Sequence, residues 1–294
     1  MTGDRGDAAQ LPSDEQVLVI PGYLAGPGDL DTANTAFGDF LAEHQGWARY
    51  SCDGGDTSVA ISNCLTSRIQ LAYEPGHRDV RWTVAGYESP VGERAWNATF
   101  DLATPYEIPL SVAETFSYVL AYSSEFAREE ALWGRVDTRA ALLRHLGESD
   151  WQDVSSPDAM AFQACDGTAG LTRWDRGAYA ADPAGPDSSA GVTLWGRGPA
   201  EAADGGWKAH FSEHAPTRLI TAALDHLTDP QAELRRRAEI PVVYRGLVEA
   251  RPAAQPARVQ AASRHTLPVC LSPAPPVPRS PSPPVAPRPV RRLS

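Results

Sequence analysis

Apolar positions along this chain follow two spacings, one of three and four residues and one of two. Phe37, Phe40, Leu41 and His44 fall at i, i+3, i+4 and i+7, one face of a helix that Gly46 is placed to stop. Asp31, Thr32 or Asn34 would cap it. Short runs then predict strands: Thr57–Asn63 with Ile69–Tyr73, Arg81–Tyr87, and Ala95–Phe100. Gly76-His77 and Pro90-Val91-Gly92 supply turns between them. A second helix starts near Tyr106, with Ile108, Val112, Phe116, Val119, Leu120 and Ser123 on one face. Upstream, Val17-Leu18-Val19-Ile20 reads as a strand or an extended lead-in.

The same order then returns. Leu142, Leu143 and Leu146 mark a helix, Gly147 a stop, and Trp151 echoes Trp47. Strands follow at Met160–Ala164, Leu171–Trp174, Val192–Trp195 and Trp207–Phe211, and a helix with Ile220, Ala223, Leu224 and Leu227 on one face. The echo is sharpest in one strand. Trp96-x-Ala98-x-Phe100 with Pro105 recurs 111 residues later as Trp207-x-Ala209-x-Phe211 with Pro216. A period this long marks a duplicated small domain rather than a solenoid. The expectation is an α+β fold of two tandem repeats, 17–126 and 135–230, each an antiparallel sheet with flanking helices (helix–strands–helix). A flexible leader (1–16), a short helix and connection begun by Asp229-Pro230 (231–249) and a disordered tail (250–294) complete it. Trp96, Phe100, Trp207 and Phe211 read as core residues.

One loop is more distinctive. Pro21-Gly22-Tyr23-Leu24-Ala25-Gly26-Pro27-Gly28-Asp29, followed by the Trp/Phe strand leading into a helix, resembles the domain of unknown function 317 family over residues 17–230. The resemblance implies an actinomycete source, two copies per chain, and an association with plasmids or mobile elements. It brings no catalytic residues. The second copy lacks the Tyr-Leu-Ala-Gly segment, so that loop is where the copies differ. Tyr23 and Asp29 are therefore expected beside a groove between the repeats, as partner-binding residues. A tyrosine combines an apolar face with a hydroxyl, a pairing favoured at interfaces.

Charge is divided unevenly. Residues 250–294 hold seven arginines, Arg279, Arg288, Arg291 and Arg292 among them, and no carboxylate, which leaves −18 on residues 1–249 of a chain whose net charge is −11. The folded part is expected to repel phosphate, so nucleic acid would be met only through the basic tail. Four cysteines form no C-x-x-C pair, and the start Met1-Thr2-Gly3-Asp4 has no signal-peptide character. No apolar run approaches the ~18 residues of a membrane span. The expected location is cytoplasmic.

Candidate chemistry is sparse. His210-Phe-Ser-Glu213-His214 matches H-x-x-E-H, the inverted zinc-protease signature. Zinc would need both histidines on one helical turn, whereas the motif begins inside a predicted strand. Thr99, Leu102 and Ala103 occupy the corresponding places in the first copy. Gly22, Gly26 and Gly28 fit neither phosphate-loop pattern, and no G-x-S-x-G occurs. The expectation is a binding or adaptor protein with a protein partner and no cofactor. The rival is an enzyme, metal-dependent through His210, Glu213 and His214, working in a cleft between the repeats.

Overall fold

The computed structural model describes residues 14–52, 57–72, 81–122, 132, 137–147, 149–174, 191–196 and 206–253. The expected turn at Gly76-His77, the helix position Ser123, most of the leader and the tail beyond Ala253 lie outside these residues. The fold is α+β, with antiparallel strands throughout. A first run comprises α1 (Leu30–Glu43), β2 (Trp47–Cys52), β3 (Thr57–Ser62), β4 (Ser67–Ala72), β5 (Trp82–Tyr87), β6 (Arg94–Phe100) and α2 (Glu107–Tyr122). A second comprises α3 (Thr138–Leu146), β7 (Trp151–Asp153), β8 (Ala159–Ala164), β9 (Ala169–Trp174), β10 (Gly191–Gly196), β11 (Trp207–Ser212) and α4 (Thr217–Thr228).

The strands of the two runs form one ten-stranded sheet rather than two sheets, in the order β2-β3-β4-β5-β6-β11-β10-β9-β8-β7. At its centre Ala98 faces Phe211, Thr99 faces His210 and Phe100 faces Ala209. That register reads the same from either strand, so Thr99 and His210 mark its midpoint. The physical reason for joining is simple: β6 and β11 would each otherwise present an edge of unpaired backbone groups. No groove opens at the junction, because it is a hydrogen-bonded strand pair.

Alternation along the strands assigns the two faces. Ala60, Ile69, Val84, Trp96, Ala98 and Phe100 in the first run point into the core, as do Phe162, Leu171, Leu194, Trp207, Ala209 and Phe211 in the second. Helix residues Phe37, Val112, Phe116, Leu142, Leu219 and Leu224 fill the same single cluster, so the four described helices lie on one side of the sheet. Two glycines make room for the largest rings. A Cβ on Gly86 would meet the Trp96 indole at 2.5 Å, and one on Gly196 would meet the Trp207 indole at 2.1 Å. Each glycine is directly opposite its tryptophan on the neighbouring strand. The aromatic strand pattern in the sequence is thus half of a two-strand motif, glycine facing tryptophan, present in both runs.

A second, three-stranded sheet has the order β12-β1-β13, from β1 (Gln16–Ile20), β12 (Glu233–Arg236) and β13 (Glu249–Pro252). Two expectations change here. The segment after Asp229-Pro230 is a strand and two short 3-10 turns (Arg237–Glu239 and Val242–Tyr244), not an α-helix. Asp229-Pro230 offered a helix start, but Leu234 and Arg235 pair in register with Leu18 and Val17. The tail also begins later than expected, since Ala250, Arg251 and Pro252 pair with Val19, Leu18 and Val17.

Trp207→Ala is expected to cost about 3–5 kcal/mol, the range for emptying a large buried aromatic site. Gly86→Ala and Gly196→Ala are expected to destabilise too, by pushing an indole out of its slot. Urea denaturation of the three variants checks this. A midpoint at the wild-type value for either glycine variant would mean the tryptophan moves aside at no cost and the motif is not a packing constraint.

Candidate functional site

Each run carries a surface cleft in the same place. The first, of about 590 Å³, is lined by His44 and Trp47, by Ser62, Asn63 and Cys64 after β3, and by Ser117, Tyr118 and Tyr122 on α2. The second, of about 620 Å³, is lined by His145 and Trp151, by Ala164, Cys165 and Asp166 after β8, and by Asp225, Thr228 and Asp229 at the end of α4. In both, a histidine comes from the end of the first helix and a tryptophan opens the first strand. The cysteine sits in the turn after the second strand. Counted from the two strand tryptophans, Ser117 and Thr228 hold the same position, as do Glu114 and Asp225.

Local chemistry follows from these placements. His44 shares a 2.8 Å hydrogen bond between Nδ1 and the Phe40 carbonyl, which fixes its ring against Phe40. Desolvation raises the Glu114 carboxyl above its ordinary value, and the nearby His44 acts against it. In the second cleft His145 Nε2 lies 3.1 Å from Asp225 Oδ1. In the second cleft a histidine thus meets a carboxylate across the gap between first and last helix. Trp47 Nε1 donates to Ser117 Oγ at 3.1 Å. Burial opposes ionisation of the Cys64 thiol, but the hydroxyls of Ser62 (2.8 Å), Thr66 (3.2 Å) and Ser67 (3.7 Å) outweigh it and hold the thiol below its usual value. Cys165 donates to the Asp150 carbonyl at 2.6 Å. The partners of the two thiols are thus hydroxyls and a backbone carbonyl, not the histidine of either cleft.

The two clefts differ in lining. Tyr118 and Tyr122 in the first are 58% and 77% exposed, with ring centroids 4.9 Å apart. The second puts Asp166, Asp225 and Asp229 where the first has Cys64, Glu114 and Tyr118. One is aromatic, the other acidic.

The loop carrying Tyr23 and Asp29 packs elsewhere. Tyr23 is buried, and its hydroxyl lies 2.7 Å from Thr168 Oγ1, whose own hydroxyl and backbone N–H bond Asp166 at 2.7 and 3.0 Å. Trp207 Nε1 donates to the Tyr23 carbonyl at 2.7 Å. Tyr23 therefore braces the turn that lines the second cleft, and its ring is turned away from solvent. Asp29 caps α1 by accepting from the Thr32 N–H at 2.6 Å, and it pairs with Arg236. Those bonds hold its carboxyl down at about 2.

Beneath the loop lies a buried ion cluster that sequence reasoning missed. Arg235 forks onto Glu107 at 2.7 and 2.8 Å, donates to the Gly26 carbonyl at 3.1 Å, and stacks 4.9 Å over Tyr106. Glu233 shares the site. Its carboxyl is pushed up to about 8, first by burial and then by the charge of Glu107, with Arg235 pulling the other way. The glycines of the loop fit this packing. Gly26 (φ 82°) lies against Pro241, and Gly28 (φ 67°) lies against the Tyr106 ring, both in the left-handed region that a side chain strains. Arg235-Arg236-Arg237 read in sequence as one basic cluster. The structure divides it between Glu107, Asp29 with Glu239, and Glu15.

His210, Glu213 and His214 are not gathered into a metal centre. His210 is on β11, its Nδ1 3.3 Å from Thr193 Oγ1, while Glu213 and His214 are in the turn before α4. Among the described residues no group of three or more His, Cys, Asp or Glu side chains is placed to hold a metal ion.

Against this geometry, residues 66–113 and 166–233 match one family model, SPDY, a domain of unknown function (DUF317). The chain is DUF317-like in both runs. The second matched segment includes Asp166, Asp225, Thr228 and Asp229 of the second cleft, whereas the first, ending at residue 113, stops short of the α2 residues that line the first cleft. The Tyr23–Asp29 loop, which suggested the family in the sequence, lies outside both DUF317 segments. No curated protein and no solved structure matches the chain.

The buried carboxyls give a signed pH dependence. Glu233 holds its proton more tightly when folded, so its contribution is complete below the ordinary glutamate value of 4.5 and is lost as pH rises towards about 8. Asp29 has the opposite sign: its contribution is present above 3.8 and lost as pH falls towards about 2. Urea midpoints measured from pH 4.5 to 8 are expected to decline in wild type with a component missing from Glu233→Gln. Parallel profiles for the two proteins would show that Glu233 ionises freely and that the cluster is open to water.

Proposed function

We propose that this protein is a non-enzymatic binding protein, made by duplication of one α+β unit, that offers two related clefts to a protein partner. The observation carrying this reading is the recurrence, in clefts of matching volume, of a histidine, a tryptophan, a cysteine and a hydroxyl from the same elements. Duplicated surfaces paired about a two-fold axis keep related sites at a fixed separation. A partner that engages both gains an effective concentration for the second contact. The cleft chemistry supports recognition rather than reaction, because each thiol is held by hydroxyls or a backbone carbonyl and not by a base. The exposed tyrosines of the first cleft suit an apolar or peptide surface, and the acidic second cleft suits a basic segment of the same partner.

We also assign the protein to the cytoplasm, in keeping with two exposed, unpaired cysteines, Cys64 and Cys165. No described helix is long and apolar enough to cross a membrane. An actinomycete setting near plasmid or other mobile elements is what the family resemblance implies.

Capture from a cell lysate of the source organism, with tagged full-length chain, tests the two-cleft reading. A partner retained by wild type is expected to fall by about a hundredfold or more when either cleft is altered, through Tyr118→Ala with Tyr122→Ala or through His145→Ala with Asp225→Ala. Equal recovery by wild type and both variants, each with an unchanged melting temperature, would remove the clefts as binding sites.

A further inference from the structure

The face of the ten-stranded sheet turned away from the helices has a composition unlike the rest of the molecule. Its outward positions include Arg68 and Gln70 on β4, Tyr87 on β5, Asn97 on β6, Lys208 on β11 and Trp195 on β10. No described helix lies over it, since the helices share the core on the opposite side. Across all ten strands the single carboxylate is Asp153, on the short edge strand β7, and the open face carries the cations Arg68 and Lys208, whereas Arg49 and Arg173 pair with the core residues Ala60 and Val192 and face the helices. The −18 of residues 1–249 is therefore carried by helices, loops and the smaller sheet. The expectation that the folded part repels phosphate rests on net charge and does not apply to this face.

Two places on the face offer flat surfaces. The Arg68 guanidinium lies 4.1 Å above the Tyr87 ring, a planar cation stacked on an aromatic. Trp195 lies across Gly170, where a Cβ would come within 2.0 Å of the indole. Gly170 is thus the residue that lets the ring lie against the sheet. Three inter-strand steps, about 14 Å, separate β5 from β10. The two surfaces also fall on opposite sides of the Thr99–His210 midpoint, since β5 and β10 run in opposite directions about it. Between them run Asn97 and Lys208, an amide and an exposed ammonium. Flat rings and a guanidinium plane for bases, cations for phosphates and amides for base edges are what unpaired nucleotides need from a sheet.

We propose that this open sheet face binds single-stranded nucleic acid along a diagonal track, with bases stacked on Trp195 and on the Arg68–Tyr87 pair and phosphates held by Arg68 and Lys208. This surface is on the opposite side of the sheet from the helices that line both clefts, so the proposal stands independently of the protein-binding reading.

Fluorescence anisotropy of the full chain with a labelled single-stranded 20-mer, of either DNA or RNA, tests it. Tight binding is expected, weakening with salt and stronger than for a duplex of the same length, whose stacked bases cannot reach the rings. Lys208→Glu, an exposed change, and Arg68→Glu are each expected to weaken binding by roughly tenfold, and Trp195→Ala by a similar factor. Lys208→Glu keeps the test decisive should Trp195→Ala disturb the sheet. Absence of binding, equal affinity for the duplex, or single-strand binding unaffected by Lys208→Glu and Arg68→Glu would overturn the proposal. The last result would assign the affinity to the arginine-rich C-terminal segment.

Discussion

Everything in this fold depends on the pairing of β6 with β11. Each strand places a tryptophan, an alanine and a phenylalanine on one face, and only the pairing brings the two sets under one group of helices. Phe100 and Phe211 then meet edge to face with centroids 5.7 Å apart across the junction. Small alanines at 98 and 209 keep the layer thin enough for α2 and α4 to lie side by side, where Ser111 Oγ reaches the Ala222 carbonyl at 3.4 Å. An isolated run of about 110 residues would carry an unpaired central strand and half a core. Joining the strands removes the edge and completes the core in one step.

That joint also decides where binding surfaces are available. A seam made of hydrogen bonds leaves no groove at the middle, so concavities move outwards to the places where helix ends overhang strand ends. There the sequence supplies the same residue types twice. The helices claim one face of the sheet, and the other face is left to polar and aromatic side chains. The chain N-terminal to α1 then ties in the second run: Tyr23 bonds Thr168 and receives the Trp207 indole, while Arg235 and Glu107 clamp the small sheet to α2.

Most of the strands and all four described helices were legible as spacing, because one buried face imposes a period of two or of 3.6. Strands β2 and β7 were not. Both are outer strands with one flank unpaired, and Tyr50 is 53% exposed, so burial imposes too little pattern there to read. β12 was expected as a helix because Asp229-Pro230 resembles a helix start, whereas the burial of Arg235 depends on Glu107, 128 residues away. Long-range ion pairs leave no local trace. The Tyr23–Asp29 loop was legible as distinctive, but its packing around Gly26, Gly28 and a buried arginine was not, because Arg235 lies more than 200 residues further along the chain.

The clefts were hidden for a different reason. Their residues are scattered over three elements each, and the cysteines sit one position apart in otherwise matched turns, so no motif search aligns them. Leu65 (φ 62°) and Gly167 (φ 71°) reveal the match, because both turns need a left-handed residue at the same step. Backbone geometry agrees where side chains differ. The two clefts share the form of the turn and the helix ends, and they differ in chemistry through a few substitutions on that frame. Tyr118 against Asp229 and Cys64 against Asp166 are such substitutions, and they make one cleft aromatic and the other acidic without moving a strand.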